Sequence, residues 1–553
     1  MTKLSRLASG LGAIAFAILA ASCISDQPDA TGAPTVKAPA GAIEGVADGS
    51  LHVFKGIPYA APPVGDARWK PPAPAKPWSG VLKTSDFGPA CIQPKAQGSG
   101  IYTQDLGALS EDCLTLNIWT SANARKAPVF VWIHGGSLRS GSSKETLYDG
   151  TSLASRGVIV VSINYRLGVL GYLAHPQLSS ESPEGISGNY GTLDQIEALR
   201  WVQKNIGAFG GDPKNVTIAG ESAGGLSVMY LMAAPPAREL FAKAIAQSAY
   251  MISTPELKAA KFGAPSAEAS GVALAGRLGA SGIAALRAMD AQKLSDTAGA
   301  AGFAPFGAVD GKILPRQLVD VFDRGEQARV PLLAGFNNGE IRSLTVLAPR
   351  PPASSAEYEA AIRARYGDRA AEFLRLYPSS NMQESVFATS RDAMYGWTAE
   401  RLARKQTAAG APAFLYLFDH GYPAADSAGL HAFHASELPY AFGMLDRTPP
   451  NWPKIPATAD EAKLSDAMVD YWSSFAKTGR PTASGQPGWP SFGSASAYMY
   501  FGETPEAKTK LYPGMYALHE ETVCRRRARG DQAWNWNVGL ASPQPSGEDK
   551  PCP

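Results

Sequence analysis

The chain has 553 residues, 45% of them hydrophobic and 18% charged, so it is large enough to bury a core and too apolar to stay disordered. Fifty-one Lys and Arg against 49 Asp and Glu leave a net charge of +2, and that balance gives no basic footprint for nucleic acid. Fifty-six Gly and 43 Pro without a G-X-Y period exclude a collagen-like chain and signal many turns, where sites are built.

At the N-terminus, Lys3 and Arg6 precede an apolar run from Leu7 to Ala21 and the small residues Ala20, Ala21, Ser22 and Cys23, the layout of an export signal over residues 1–23. The run falls short of the roughly 20 residues that span a bilayer, and no other stretch reaches that length, so no transmembrane helix is expected. Leu19 to Cys23 also resembles a lipoprotein box, so Cys23 is either removed by cleavage or becomes a lipid anchor. Residues 24–44, rich in Ala, Pro, Gly and Thr, read as a flexible linker, the body as 45–523, and 524–553, with its basic run Arg525 to Arg527, as an irregular tail bearing a solvated charge cluster. Without Cys23, four cysteines remain, an even number suited to an oxidising compartment. Proximity pairs Cys91 with Cys113 and Cys524 with Cys552. No Cys-x-x-Cys occurs, which leaves a structural zinc site without support.

Short apolar runs begin at Pro128 (PVFVWIH), Val158 (VIVVSINY), Asn215 (NVTIAG), Phe241 (FAKAIAQSA), Val330 (VPLLAGF) and Phe414 (FLYLFDH). Rich in Val and Ile, they suit strands buried on both faces, with helices as crossovers. Apolar positions at helical spacing, Leu193 to Val202 and Leu464 to Phe475, read as core helices. Ala-rich segments 253–300 and 345–410 read as helical insertions. The fold class is α/β.

The segment VTIAGESAGG, Val216 to Gly225, places Gly220-Glu221-Ser222-Ala223-Gly224 between a buried strand and a helix, the context that G-x-S-x-G requires. Gly220 and Gly224 leave room for a tight turn that lifts Ser222 Oγ clear, and the helix starting at Ala223 aims free N–H groups at a forming oxyanion. The strand PVFVWI runs into His134-Gly135-Gly136-Ser137-Leu138, a loop without obstructing Cβ atoms that can supply further N–H donors.

A neutral Ser hydroxyl needs a base, and the base an orienting carboxylate, in the chain order Ser, acid, His. His420, His431, His434 and His519 follow the candidate acids Asp310, Asp323, Glu340, Asp392 and Asp419. His431 and His434 share the loop LHAFHASELPYAF, so one of them is the expected base. Glu340 follows the strand VPLLAGF, at the carboxyl-end position where catalytic groups gather.

The sequence resembles the type-B carboxylesterase and cholinesterase family. The resemblance is carried by GIPYAAPPVGDARW (Gly56–Trp69), SEDCLTLN (Ser110–Asn117), the block Gly188–Gly225, YWSSFAKTGRP from Tyr471, and Trp489-Pro490. It implies an α/β-hydrolase fold, a mostly parallel sheet flanked by helices with insertions capping the site. It implies an exported serine esterase acting on a small-molecule ester without metal or organic cofactor. Residue by residue, it implies Ser222 as nucleophile, Glu340 as acid and His434 as base. Gly136, Ser137 and Ala223 become oxyanion donors beside Gly135, Glu221 and Ser248 support the triad acid, and Cys91 pairs with Cys113. Ser137 stands where the family usually has a third glycine. Arg139, Lys144 and Arg342 are cations that could face the pocket and favour an ester bearing a carboxylate.

Overall fold

The computed structural model describes residues 33–95, 100–535 and 537–544. An eleven-stranded sheet runs through it. Its seven central strands are parallel, in the spatial order Ile159–Ile163, Ala127–Ile133, Gly211–Glu221, Lys243–Gln247, Leu332–Asn337, Ala413–Phe418 and Ala497–Phe501. Antiparallel strands close both edges: Pro505–Thr509 on one side, and Thr115–Ser121, Leu51–Pro58 and Val46–Asp48 on the other. All six apolar runs singled out in the sequence lie in these parallel strands. Their side chains have core on both faces: Val129, Val131 and Ile133 pack in one apolar cluster, Phe130 and Trp132 in the other.

Helices flank both sides, among them Tyr190–Asn205 and Ala459–Thr478. The two Ala-rich segments fold into the helices Ala267–Arg277, Ile283–Arg287 and Ala291–Ala300, and Ser355–Tyr366, Ala370–Leu376, Met382–Arg391 and Trp397–Ala408. A single π-helical turn, Asp392–Gly396, joins the last two.

Two boundaries differ from the sequence reading. Residues 35–44 are not linker: Thr35–Ala38 pairs antiparallel with Gly41–Glu44, which pairs with Val81–Lys83, and Ile43 is fully buried. Ile43 and Ala40 join the core, with Val36 and Ala38 packed against it, and so dock a segment whose composition read as loose. The tail is not irregular at its start either, since the helix Met515–Arg529 carries through Cys524 and the basic run. Those arginines are paired rather than solvated, Arg525 with Asp368 and Arg527 with Asp320 and Asp323. The acidic partners come from distant sequence, which composition does not reveal. Cys91 and Cys113 form a disulfide. The pairing of Cys524 with Cys552, the export signal and Cys23 involve residues outside those described. Among the described residues no helix is long and apolar enough to cross a membrane.

Candidate active site

Parallel register brings the carboxyl ends of the strands level. Gly220 lies opposite Ile133 and Ala246, Glu221 opposite Gln247, and Gln247 opposite Gly335. The residues that follow, His134 to Ser137, Ser222, Ser248 and Glu340, therefore collect at one sheet edge, where ligands of open α/β sheets bind.

Ser222 caps the helix Ala223–Ala233 at φ 56° and ψ −119°, a backbone state that side chains rarely adopt and that surrounding structure must enforce. Here the enforcement is visible. A Cβ at Gly224 would lie 2.0 Å from the Ile133 carbonyl oxygen, and one at Gly220 would lie 2.5 Å from the Gly224 carbonyl. Only glycine permits strand, turn and helix to approach this closely. Ser222 N–H donates to the Gln247 carbonyl at 3.0 Å and fixes the turn from below.

The oxyanion loop lies alongside: a Cβ at Gly135 would meet the Glu221 carbonyl at 2.8 Å and Ser222 Cβ at 3.3 Å. Gly136 has φ 97°, Ser137 58° and Leu138 56°, and two N–H groups, of Arg139 and Ser140, turn back onto the Gly136 carbonyl. The N–H groups of Gly136 and Ser137 donate to no acceptor among the described residues. Ala223, the first residue of its helix, has an N–H that helix geometry leaves free. Ser137 holds its left-handed backbone without being glycine, at a cost of about 1–2 kcal/mol.

His434 Nδ1 hydrogen-bonds Glu340, whose other oxygen accepts the Asn337 N–H at 2.9 Å. Both side chains are buried. The base loop is also held by its backbone: Gly339 N–H donates to the Ala432 carbonyl, and Asn337 Nδ2 to the Phe433 carbonyl, each at 2.8 Å. His434 Nε2 lies 3.1 Å from Oε1 of Glu221, the residue preceding Ser222. No hydrogen bond joins Ser222 Oγ to His434 among the described residues. Such bonds are commonly long without substrate and tighten in the reacting complex.

Burial opposes charge on His434, but Glu221 and then Glu340 outweigh it and raise its pKa to about 9. Burial in turn raises Glu221 to about 8 against the pull of His434. Nε2 and Oε1 thus compete for one proton. Glu221 was expected to support the acid, and it faces the base instead. Ser248 is fully buried at φ 43° and its N–H donates to the Gly335 carbonyl, but its hydroxyl has no partner among the described residues and makes no bond to Glu340.

Sequence reasoning missed a second layer. Glu437 accepts from Gln247 Nε2 at 3.0 Å and Asn337 Nδ2 at 2.6 Å, while Trp472 Nε1 donates to Gln247 at 2.9 Å. Burial, followed by the charge of Glu340, raises Glu437 to about 7. Its signal was present, since Glu437 lies within LHAFHASELPYAF, three residues from His434, and Asn337 directly follows VPLLAGF, three residues before Glu340. Tyr102, whose hydroxyl donates to the His434 carbonyl at 2.8 Å, and Tyr395, whose ring lies 5.3 Å from that imidazole, carried no local signal.

Of the other candidates, His519 bonds Tyr377, His420 bonds Glu461, and His431 sits between Asp419 and Asp426. Arg342 does not present a free cation to the site, because its Nη2 meets both Glu384 oxygens at 2.8 and 2.9 Å. Arg139 is exposed, its Nη2 beside Gly299. Among the described residues no group of three or more His, Cys, Asp or Glu is placed to hold a metal ion.

Residues 32–518 match the family model described as the carboxylesterase family. The chain belongs to the carboxylesterase family. Its members are carboxylic-ester hydrolases, and this chain is one. It is 38% identical to the fumonisin B1 esterase of Sphingopyxis macrogoltabida over 84% of its length and 85% of that protein. It is 38% identical to the para-nitrobenzyl esterase of Bacillus subtilis over 82% of its length and 91% of the relative. A solved PNB esterase structure superposes with a TM-score of 0.76 at 33% identity, covering 88% of this chain and 99% of the other. The carboxylesterase of Geobacillus stearothermophilus does so with a TM-score of 0.71 at 30% identity.

Proposed function

We propose that this carboxylesterase is an exported serine hydrolase acting through Ser222, Glu340 and His434 and an acyl-enzyme intermediate. The observation that carries the reading is the buried Glu340 to His434 Nδ1 hydrogen bond, with Nε2 turned toward the strained Glu221-Ser222 turn. In the tautomer this bond selects, Nε2 carries the lone pair, and once released from Glu221 it takes the Ser222 proton as Oγ attacks the ester carbonyl. The carbonyl oxygen gains charge among the N–H groups of Gly136, Ser137 and Ala223, each of which contributes roughly 2.7–4 kcal/mol to lowering such a barrier. His434 returns the proton to the leaving alcohol, and a water activated the same way releases the acid. Export is supported by the signal layout of residues 1–23 and by the Cys91 to Cys113 disulfide.

Hydrolysis of p-nitrophenyl butyrate by the mature protein, with Ser222→Ala and His434→Ala alongside and a phosphonate probe read by intact mass, tests the assignment. One adduct at Ser222 and loss of several orders of magnitude in both variants is expected. A folded wild type that neither turns over nor labels would overturn it and leave a binding protein on the same fold. Activity that rises steeply with acyl chains beyond butyrate would make the enzyme a lipase.

A further inference from the structure

Three residues before the base, His431 adopts φ 48°, a left-handed backbone that costs a residue with a Cβ about 1–2 kcal/mol. Such strain persists only where surroundings over-determine it. The surroundings are two carboxylates, one on each ring nitrogen: Asp426 Oδ1 lies 2.8 Å from Nδ1 and Asp419 Oδ1 lies 3.1 Å from Nε2. A carboxylate only accepts, and a neutral imidazole has one donor, so both bonds exist together only for the imidazolium. The fold keeps space for this arrangement. A Cβ at Gly421 would lie 2.3 Å from His431 Nδ1 and 2.5 Å from Asp426 Oδ1, and one at Gly339 would lie 2.8 Å from the Leu430 and Ala432 carbonyls on either side of His431.

The two carboxylates belong to separate elements. Asp419 follows the strand Ala413–Phe418 and accepts from Asn338 Nδ2 at 2.7 Å, in the acid's own loop, and from Tyr500 at 3.1 Å. Asp426 lies on the short helix Pro423–Ser427. His431 thus joins the acid loop, a sheet strand and a surface helix at the foot of the loop that carries His434.

We propose that His431, as an imidazolium clamped between Asp419 and Asp426, is a positioning residue that fixes the loop presenting His434 to Glu340, and that loss of its proton loosens that loop. The proposal rests on the triad reading above. Hydrogen bonding to Asp419, opposed by partial burial and reinforced by Asp426, raises the pKa of His431, so the clamp outlasts the protonation of an ordinary imidazole and is lost as pH rises through that raised value. The other charged or titratable groups facing this corner include Tyr500 on Asp419, Tyr498 near the same carboxylate, Arg391 and Tyr512 on Asn338, and Arg342, whose Nη1 lies 3.4 Å from the Gly429 carbonyl.

His431→Gly is the informative variant, because it relieves the backbone strain while removing the clamp. We expect kcat to fall about 10- to 100-fold, the scale of a misplaced base, with KM within about twofold. Wild-type kcat should decline at alkaline pH, and the variant should lack that limb. Hydrogen-exchange protection of residues 430–436, measured against pH, should fall in wild type as pH rises and stay low throughout in His431→Gly. Asp426→Ala, at an exposed site, should move the wild-type alkaline limb to lower pH and serves if the glycine variant does not fold. Unchanged kcat, alkaline limb and protection in these variants would overturn the proposal. Clamp-dependent protection in a wild type that hydrolyses no ester would sink the triad reading and leave the clamp standing.

Discussion

Replacing Glu340 by Gln separates orientation from packing, because the new side chain has the same shape in a fully buried position. Both carboxylate oxygens are committed: one accepts the Asn337 N–H at 2.9 Å and the other accepts from His434 Nδ1. An amide has one acceptor and one donor end, so it satisfies one of these N–H groups and turns its NH2 toward the other. The backbone N–H of Asn337 has no second tautomer, whereas imidazole does. The amide oxygen therefore goes to Asn337, its NH2 donates to Nδ1, and the imidazole proton moves to Nε2, the atom that must take the Ser222 proton. The imidazolium that forms on attack would also face an amide instead of a carboxylate. Loss of the correct tautomer in a triad costs about 10^4 in kcat, or roughly 5.4 kcal/mol in the barrier. Because no cavity and no unpaired charge is left, thermal stability should change little. Steady-state hydrolysis of p-nitrophenyl butyrate, the rate of phosphonate labelling and a melting curve on the same sample test this together. A kcat within about tenfold of wild type in a folded Glu340→Gln would refute the assignment of Glu340 as the residue that orients the base.

Protonation of His434 should abolish activity as pH falls, and because Glu221 is the foremost carboxylate raising its pKa, Glu221→Gln should move the acid limb of kcat/KM down by about 1 unit or more; an unmoved limb would show that Glu221 does not sense the base. Gly224→Ala drives a Cβ to 2.0 Å from the Ile133 carbonyl oxygen, and since backbone cannot yield as a flexible side chain does, a loss of about 3 kcal/mol or more in urea unfolding, with slowed phosphonate labelling, is expected. Two buried histidines should each oppose folding in acid. Burial lowers His134 to about 4 and His519 to about 3, so the unfolded chain binds those protons first. The stability they contribute is present above pH 6.5 and is lost as pH falls toward their folded values, about 2 kcal/mol each by pH 5. A His519→Gln variant that loses as much unfolding free energy as wild type between pH 7 and pH 5 would contradict this.

The parts of this protein that the sequence determined are those whose physics is local. G-x-S-x-G between a strand and a helix, and the glycines after PVFVWI, announce tight turns because steric exclusion at Gly220, Gly224 and Gly136 acts between residues close in the chain or on neighbouring strands. Buried runs of Val and Ile likewise announced the parallel strands. Choosing the base and acid needed more. From residues alone His431 and His434 stood equal, and the structure separates them by partner: His434 meets buried Glu340, whereas His431 meets the outlying Asp419 and Asp426. Glu221 and Ser248 were expected to support Glu340, yet Glu221 faces His434 and Ser248 makes no bond to Glu340, because side-chain direction depends on the strand's pleat and on what packs across it. The linker and tail were misjudged for one reason. Composition reports how much apolar surface a segment has, and it does not report that Ile43 finds a core or that Arg525 and Arg527 find Asp368, Asp320 and Asp323, partners that only the folded chain brings within reach.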